Sequence, residues 1–122
     1  MKVDKLEKKY LETVYSIEYS TDVNDLLKRV GRAIFLFLKL LYARKAKIER
    51  SLGRELLRFL YVEESAEEKL QRLSKIVTLM RFEAINTKYP YIDFYMQNLV
   101  TELDRIMVKK GYNFFLASNR DS

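Results

Sequence analysis

Residues 23–61 read VNDLLKRVGRAIFLFLKLLYARKAKIERSLGRELLRFLY. Val23, Leu27, Val30, Ile34, Leu38, Leu41, Ile48, Leu52, Leu56 and Phe59 recur at three- and four-residue steps. At about 100° per residue they share a sector about 80° wide, the signature of an amphipathic helix. No proline interrupts the stretch, and the phase holds across Gly31 and Gly53. The spacing therefore predicts one long central helix over residues 22–61. The alternative is a break at Ser51-Leu52-Gly53, where Ser51 offers an N-cap and an interior glycine costs about 1 kcal/mol.

The flanks repeat the helical period. Val3, Leu6, Tyr10, Val14 and Ile17 form one apolar stripe, and Ser20, Thr21 and Asp22 supply N-cap chemistry for the central helix. Ser65-Ala66-Glu67-Glu68 fits a capping box, in which the Ser hydroxyl accepts from a first-turn amide and Glu68 reaches back. Leu70, Leu73, Val77, Met80 and Ala84 continue that helix. Pro90 suits the first turn of a last helix carrying Ile92, Tyr95, Leu99, Leu103 and Ile106, and Lys109-Lys110-Gly111 stops it. The reading is all-α: a single-domain bundle of four or five helices over residues 1–122, with 112–122 a partly flexible tail. Phe114, Phe115 and Leu116 are placed to fold back onto the bundle.

Composition limits the chemistry. The 122 residues are 48% apolar, enough for one domain with a modest core, and contain no His and no Cys. Thiol nucleophiles, zinc fingers and His general bases are excluded, and with them a ribonuclease of the usual Arg–His helical type. No phosphate-loop or dinucleotide motif occurs. Glu63, Glu64, Glu67 and Glu68 read as helix-start chemistry rather than a metal site, and Asp22 and Asp25 as capping. The expectation is a protein that is no enzyme and takes no cofactor, metal or small-molecule substrate.

The charged N-terminus is no signal peptide. Ala33–Ala43, the most apolar window, falls short of the roughly 20 residues of a bilayer span. The reading is a cytoplasmic protein without membrane contact. Its richness in Lys, Glu, Arg and Tyr resembles thermophile composition.

The net charge of +6 is unevenly placed. Residues 1–27 carry −2, residues 59–122 carry zero, and residues 28–58 carry +8. On a continuous helix Arg29, Arg32, Arg44, Lys47, Arg50, Arg54 and Arg58 would occupy about 120° opposite the apolar stripe, with Lys45 beside them. The middle of that helix, around Ala33, Leu36, Leu40 and Ala43, would be buried all round. Cations without acids at i±4 repel one another unless something negative lies across them, and a phosphate backbone would do so. A solvated face, or pairing with Glu63, Glu64, Glu67 or Glu68, is the bland alternative. Tyr42 and Tyr61 flank the patch and are the candidates for stacking on bases.

A short, basic, all-helical chain with Arg44-Lys45-Ala46-Lys47 and Leu79-Met80-Arg81-Phe82-Glu83-Ala84 set within apolar helices resembles the small subunits of CRISPR effector complexes of the Cascade-like kind. The resemblance implies an antiviral assembly with several copies beside guide RNA or displaced DNA, and neighbouring subunits on the apolar surfaces. It carries over no individual residue. The expected function is non-catalytic, largely sequence-independent binding of RNA or single-stranded DNA through the backbone. The alternative is a helical scaffold or self-associating module whose basic face meets an acidic protein.

Overall fold

The computed structural model describes residues 2–111. Five α-helices follow in chain order: α1 (Lys2–Ser16), α2 (Val23–Ala43), α3 (Arg50–Tyr61), α4 (Ala66–Asn86) and α5 (Pro90–Lys110). A single 3-10 turn, Ile17–Tyr19, joins α1 to α2. Among the described residues there is no strand, and no helix is long and apolar enough to cross a membrane. The described part of the chain is thus an all-α bundle.

Local chemistry sets most boundaries. Asp22 Oδ1 accepts from the Asp25 amide (2.8 Å), and Asp25 Oδ2 accepts from the Thr21 amide (3.0 Å). That amide, and then Arg29, hold the Asp25 carboxyl below its usual range. The capping box at Ser65 forms as the sequence implies: Ser65 Oγ accepts from the Glu68 amide (3.1 Å), and Glu68 Oε1 accepts from the Ser65 amide (3.0 Å). Pro90 opens α5, and Gly111 closes it in the left-handed region at φ 71°. The tail from Tyr112, including Phe114, Phe115 and Leu116, lies outside the described residues.

The long central helix does not form. The chain leaves the helix at Arg44 and resumes at Arg50, so the interruption falls before the alternative break at Ser51–Gly53. The stop is a Schellman turn: the Ala46 amide donates to Leu41 O (2.9 Å) and the Lys45 amide to Tyr42 O (3.1 Å). Lys45, at φ 54°, fills the left-handed position that glycine usually takes. Gly31 and Gly53 both lie inside helices instead. Ile48 stays packed on the core from within the loop, which preserves the apolar phase through a segment that is not helical.

This turn gives a stability prediction. A β-carbon in the left-handed region costs about 1–2 kcal/mol, and glycine's added freedom in the unfolded chain takes back part of that. Lys45→Gly is expected to stabilise the fold by about 0.5 kcal/mol, raising the thermal midpoint by about 2–4 °C. A melt followed by circular dichroism checks it.

One core runs through all five helices. Tyr10, Phe37, Phe59, Leu73, Tyr95 and Leu99 are among its members. α1 packs chiefly on α2, and α4 on α5 and α3. Tyr10, fully buried, donates to Tyr95 O across the bundle (2.6 Å). Burial, followed by the nearby hydroxyls of Tyr95 and Tyr15, holds its phenol well above the usual range.

One buried group works against the fold. Glu102 on α5 is 3% exposed; its Oε1 accepts from Arg105 (2.7 Å), while Oε2 has no partner among the described residues. Burial raises its pKa against the pull of Arg105, and Glu18 adds to the rise. The folded state therefore binds this proton more readily than the unfolded chain does. The group destabilises the fold at neutral pH and is relieved as pH falls through its folded pKa. Glu102→Met is expected to stabilise by about 1 kcal/mol at pH 7, because Arg105 is half in solvent and loses little. The gain should shrink as pH falls toward the ordinary carboxylate range. Paired melts at neutral and acid pH measure both effects.

Candidate nucleic-acid interface

The break in the central helix redistributes the cations. Two of them serve the fold. Arg29 Nη1 donates to Ser16 O (2.8 Å), which ties α2 to the end of α1, and its Nε pairs with Asp25 (3.1 Å) within α2. Arg44 Nε donates to the Tyr95 hydroxyl (3.0 Å), and its Nη2 pairs with Glu7 on α1 (3.2 Å). Its guanidinium also lies 4.6 Å from the centre of the Tyr91 ring. Tyr95 in turn donates to Glu7. Burial, then the carboxylate that accepts from it, push the Tyr95 phenol up to about 12. Burial opposes the Arg44 charge, yet Tyr95 and Glu7 outweigh that and raise its pKa. Arg29 and Arg44 therefore make ties within the bundle, while their side chains stay partly exposed.

The remaining candidates are exposed. Arg32 stands on the open side of α2 with Lys28 and Lys39; Lys45 and Lys47 lie in the α2–α3 loop; Arg50, Arg54 and Arg58 line the outer face of α3. At about 100° per residue Arg50, Arg54 and Arg58 fall within about 80°, with Leu57 and Tyr61 on the same side. Of the two acids of the basic segment, one is turned away from them. Glu55 turns inward, 4% exposed, and is bound by Arg72 and by Lys75 (3.5 Å) from α4. Glu49 precedes α3 at its N-cap position with an exposed side chain that makes no capping bond, and its amide donates to Glu83 Oε1 (3.0 Å).

Arg72 is the hub beneath this face. Its Nη2 pairs with Glu64 at 2.8 Å while Nη1 binds Glu55, so one guanidinium spans α3 and the loop after it. Glu64 first, then Glu55, overcome the cost of its burial and raise its pKa. The same contact holds the Glu64 carboxyl below its usual range. Lys69 Nζ donates to Phe59 O (2.9 Å) near the end of α3. Glu55 of α3 and Glu64 of the α3–α4 loop are thereby drawn to α4, and Arg50, Arg54 and Arg58 stand exposed on the outer face of α3. Of the three arginines, Arg58 approaches that acid group, lining a shallow depression with Glu64 and Glu68. Arg50 and Arg54 make no ion pair among the described residues.

Arg50 sits at the first position of α3, with no acid in the first turn. Cations there oppose the helix dipole, at a cost of a few tenths of a kcal/mol. The face is thus arranged at some expense to stability.

The middle of α2 is not buried all round. Phe35, Lys39 and Tyr42 are exposed along it, and they open onto a groove of about 680 Å³ between α1, α2 and α3. Leu6, Phe35, Leu38 and Leu57 form its apolar lining, Tyr42 and Tyr61 stand in its walls, and Lys2, Lys5, Lys9 and Lys39 rim it. The two tyrosines singled out from sequence therefore share one groove. The sequence does not by itself bring the α1 lysines to this groove, although Lys2, Lys5 and Lys9 recur at helical spacing on one side of an amphipathic helix. No protein-family model, curated protein or solved structure matches the chain.

Proposed function

We propose that this protein is a non-catalytic nucleic-acid-binding module that holds a phosphate backbone across the outer face of α3, as a subunit of a larger assembly. One observation carries the reading: Arg50, Arg54 and Arg58 form a row on one exposed face while Glu55 and Glu64 are drawn to α4. Lys47 extends the row into the loop, and Arg32, Lys28 and Lys39 add positive potential on α2. Such a surface neutralises phosphates and releases counterions without reading bases. Arginine at the row's three positions favours bidentate phosphate contact. The absence of His and Cys leaves this chain with few means to cleave what it holds.

Two further exposed apolar side chains on α4, Phe82 and Ile85, support membership of an assembly, because they offer a neighbour an apolar contact. The small helical subunits of CRISPR effector complexes are the kind of component this plan resembles. The test is a titration of labelled oligonucleotides followed by anisotropy. Binding at about 50 mM salt that weakens sharply at about 200 mM supports the reading. No binding at the lower salt overturns it.

A further inference from the structure

The groove beside α3 differs from the arginine row in its chemistry. Its lining is predominantly apolar, and among the described residues no acid contributes to it. Phe35 is 44% exposed, Tyr42 88% and Tyr61 71%, unusual values for aromatic rings on one concave surface. Lys39 Nζ lies over the Phe35 ring, 5.2 Å from its centre, so a cation covers one face of that ring. Lys2, Lys5 and Lys9 follow the α1 wall at steps of three and four residues, so they project along one edge.

The groove is also continuous with the basic row. Leu57 and Tyr61 belong to its lining and share the outer face of α3 with Arg50 and Arg54. A ligand held by those arginines has a path across Tyr61 into the groove. It then meets rings in the middle and lysines along the far edge.

We propose that this groove receives unpaired bases, so that the protein takes single-stranded rather than duplex nucleic acid. Bases of a strand lying along α3 turn inward and stack against Tyr42, Tyr61 and Phe35. The phosphates on either side meet Arg50 and Arg54 at one edge, and Lys39 and the α1 lysines at the other. A duplex keeps its bases stacked on one another and offers the rings nothing. Stacking is indifferent to base identity, which fits a site with few polar groups to read base edges. The positive rim with no acid favours a polyanion, and the open rings favour flat aromatic groups over an acyl chain.

This inference rests on the reading of α3 as a backbone contact, and the experiment separates the two. A labelled thymidine oligonucleotide and a blunt duplex of the same length are titrated against wild type, Tyr42→Ala/Tyr61→Ala and Tyr42→Phe/Tyr61→Phe. The single strand is expected to bind wild type more tightly than the duplex. The alanine pair should weaken single-strand binding by at least about 30-fold, since each stacked base is worth roughly fivefold or more, while duplex binding stays unchanged. The phenylalanine pair keeps the rings and should bind within about twofold of wild type. Equal wild-type affinity for both strands, or single-strand binding unmoved by the alanine pair, overturns the base-binding groove and leaves the α3 reading standing. The groove would then suit an acidic amphipathic helix of a partner. Absence of binding to either nucleic acid overturns both.

Discussion

Replacing Arg72 with alanine is expected to destabilise the fold by about 3 kcal/mol, the scale on which removing one partner of a buried ion pair leaves the other charge stranded. Arg72 is the only described residue that joins Glu55 to Glu64, and Glu55 is nearly sealed from solvent. Lys75 remains 3.5 Å from Glu55, but its side chain is two-thirds exposed and compensates weakly. For a chain of this size the thermal midpoint should fall by roughly 10 °C or more. The double variant Arg72→Met/Glu55→Met should recover most of the loss, because the stranded Glu55 carboxylate is then gone, although Glu64 loses its partner. A loss under about 1 kcal/mol in Arg72→Ala would mean that water reaches Glu55 and that the acids of α3 are not held as described.

That network explains how far the sequence could be read. The capping features at Asp22, Ser65, Pro90 and Gly111 act within four residues of themselves, and each is legible as a local pattern. The break after Ala43 is not. Its left-handed position holds Lys45, and Ile48 keeps the apolar phase from within the loop, so periodicity alone continues straight through. The roles of Arg29 and Arg44 were hidden for a different reason. Apart from Asp25, four residues before Arg29, their partners lie 13, 37 and 51 residues away and become neighbours only when α1, α2 and α5 pack. On a helical wheel both arginines look equivalent to Arg50 and Arg54. The groove is likewise tertiary: Tyr42 and Tyr61 drew notice beside the basic segment, but the lysines facing them come from α1.

The second large effect is on binding. Arg50→Glu/Arg54→Glu removes two cations that have no ion-pair partner among the described residues and places two anions in their stead. At about 100 mM salt each reversal should cost about tenfold in affinity, for about 100-fold together. The fold should not suffer. A glutamate at the first position of α3 complements the helix dipole, so the thermal midpoint is expected to stay level or rise slightly. Loss of binding with undiminished stability separates this face from Arg29 and Arg44, whose replacement should lower stability. Loss of binding together with unfolding would instead assign Arg50 and Arg54 to the fold.

The most direct test of the central claim is the salt dependence of oligonucleotide affinity in the wild-type protein and in Arg50→Glu/Arg54→Glu. If Lys47, Arg50, Arg54 and Arg58 each hold a phosphate, log K falls against log salt with a slope of about −3 or steeper for a single strand. The variant should flatten that slope by about 1 to 2. A wild-type slope near zero, or an equal slope in the variant, would contradict the assignment of this face to a phosphate backbone.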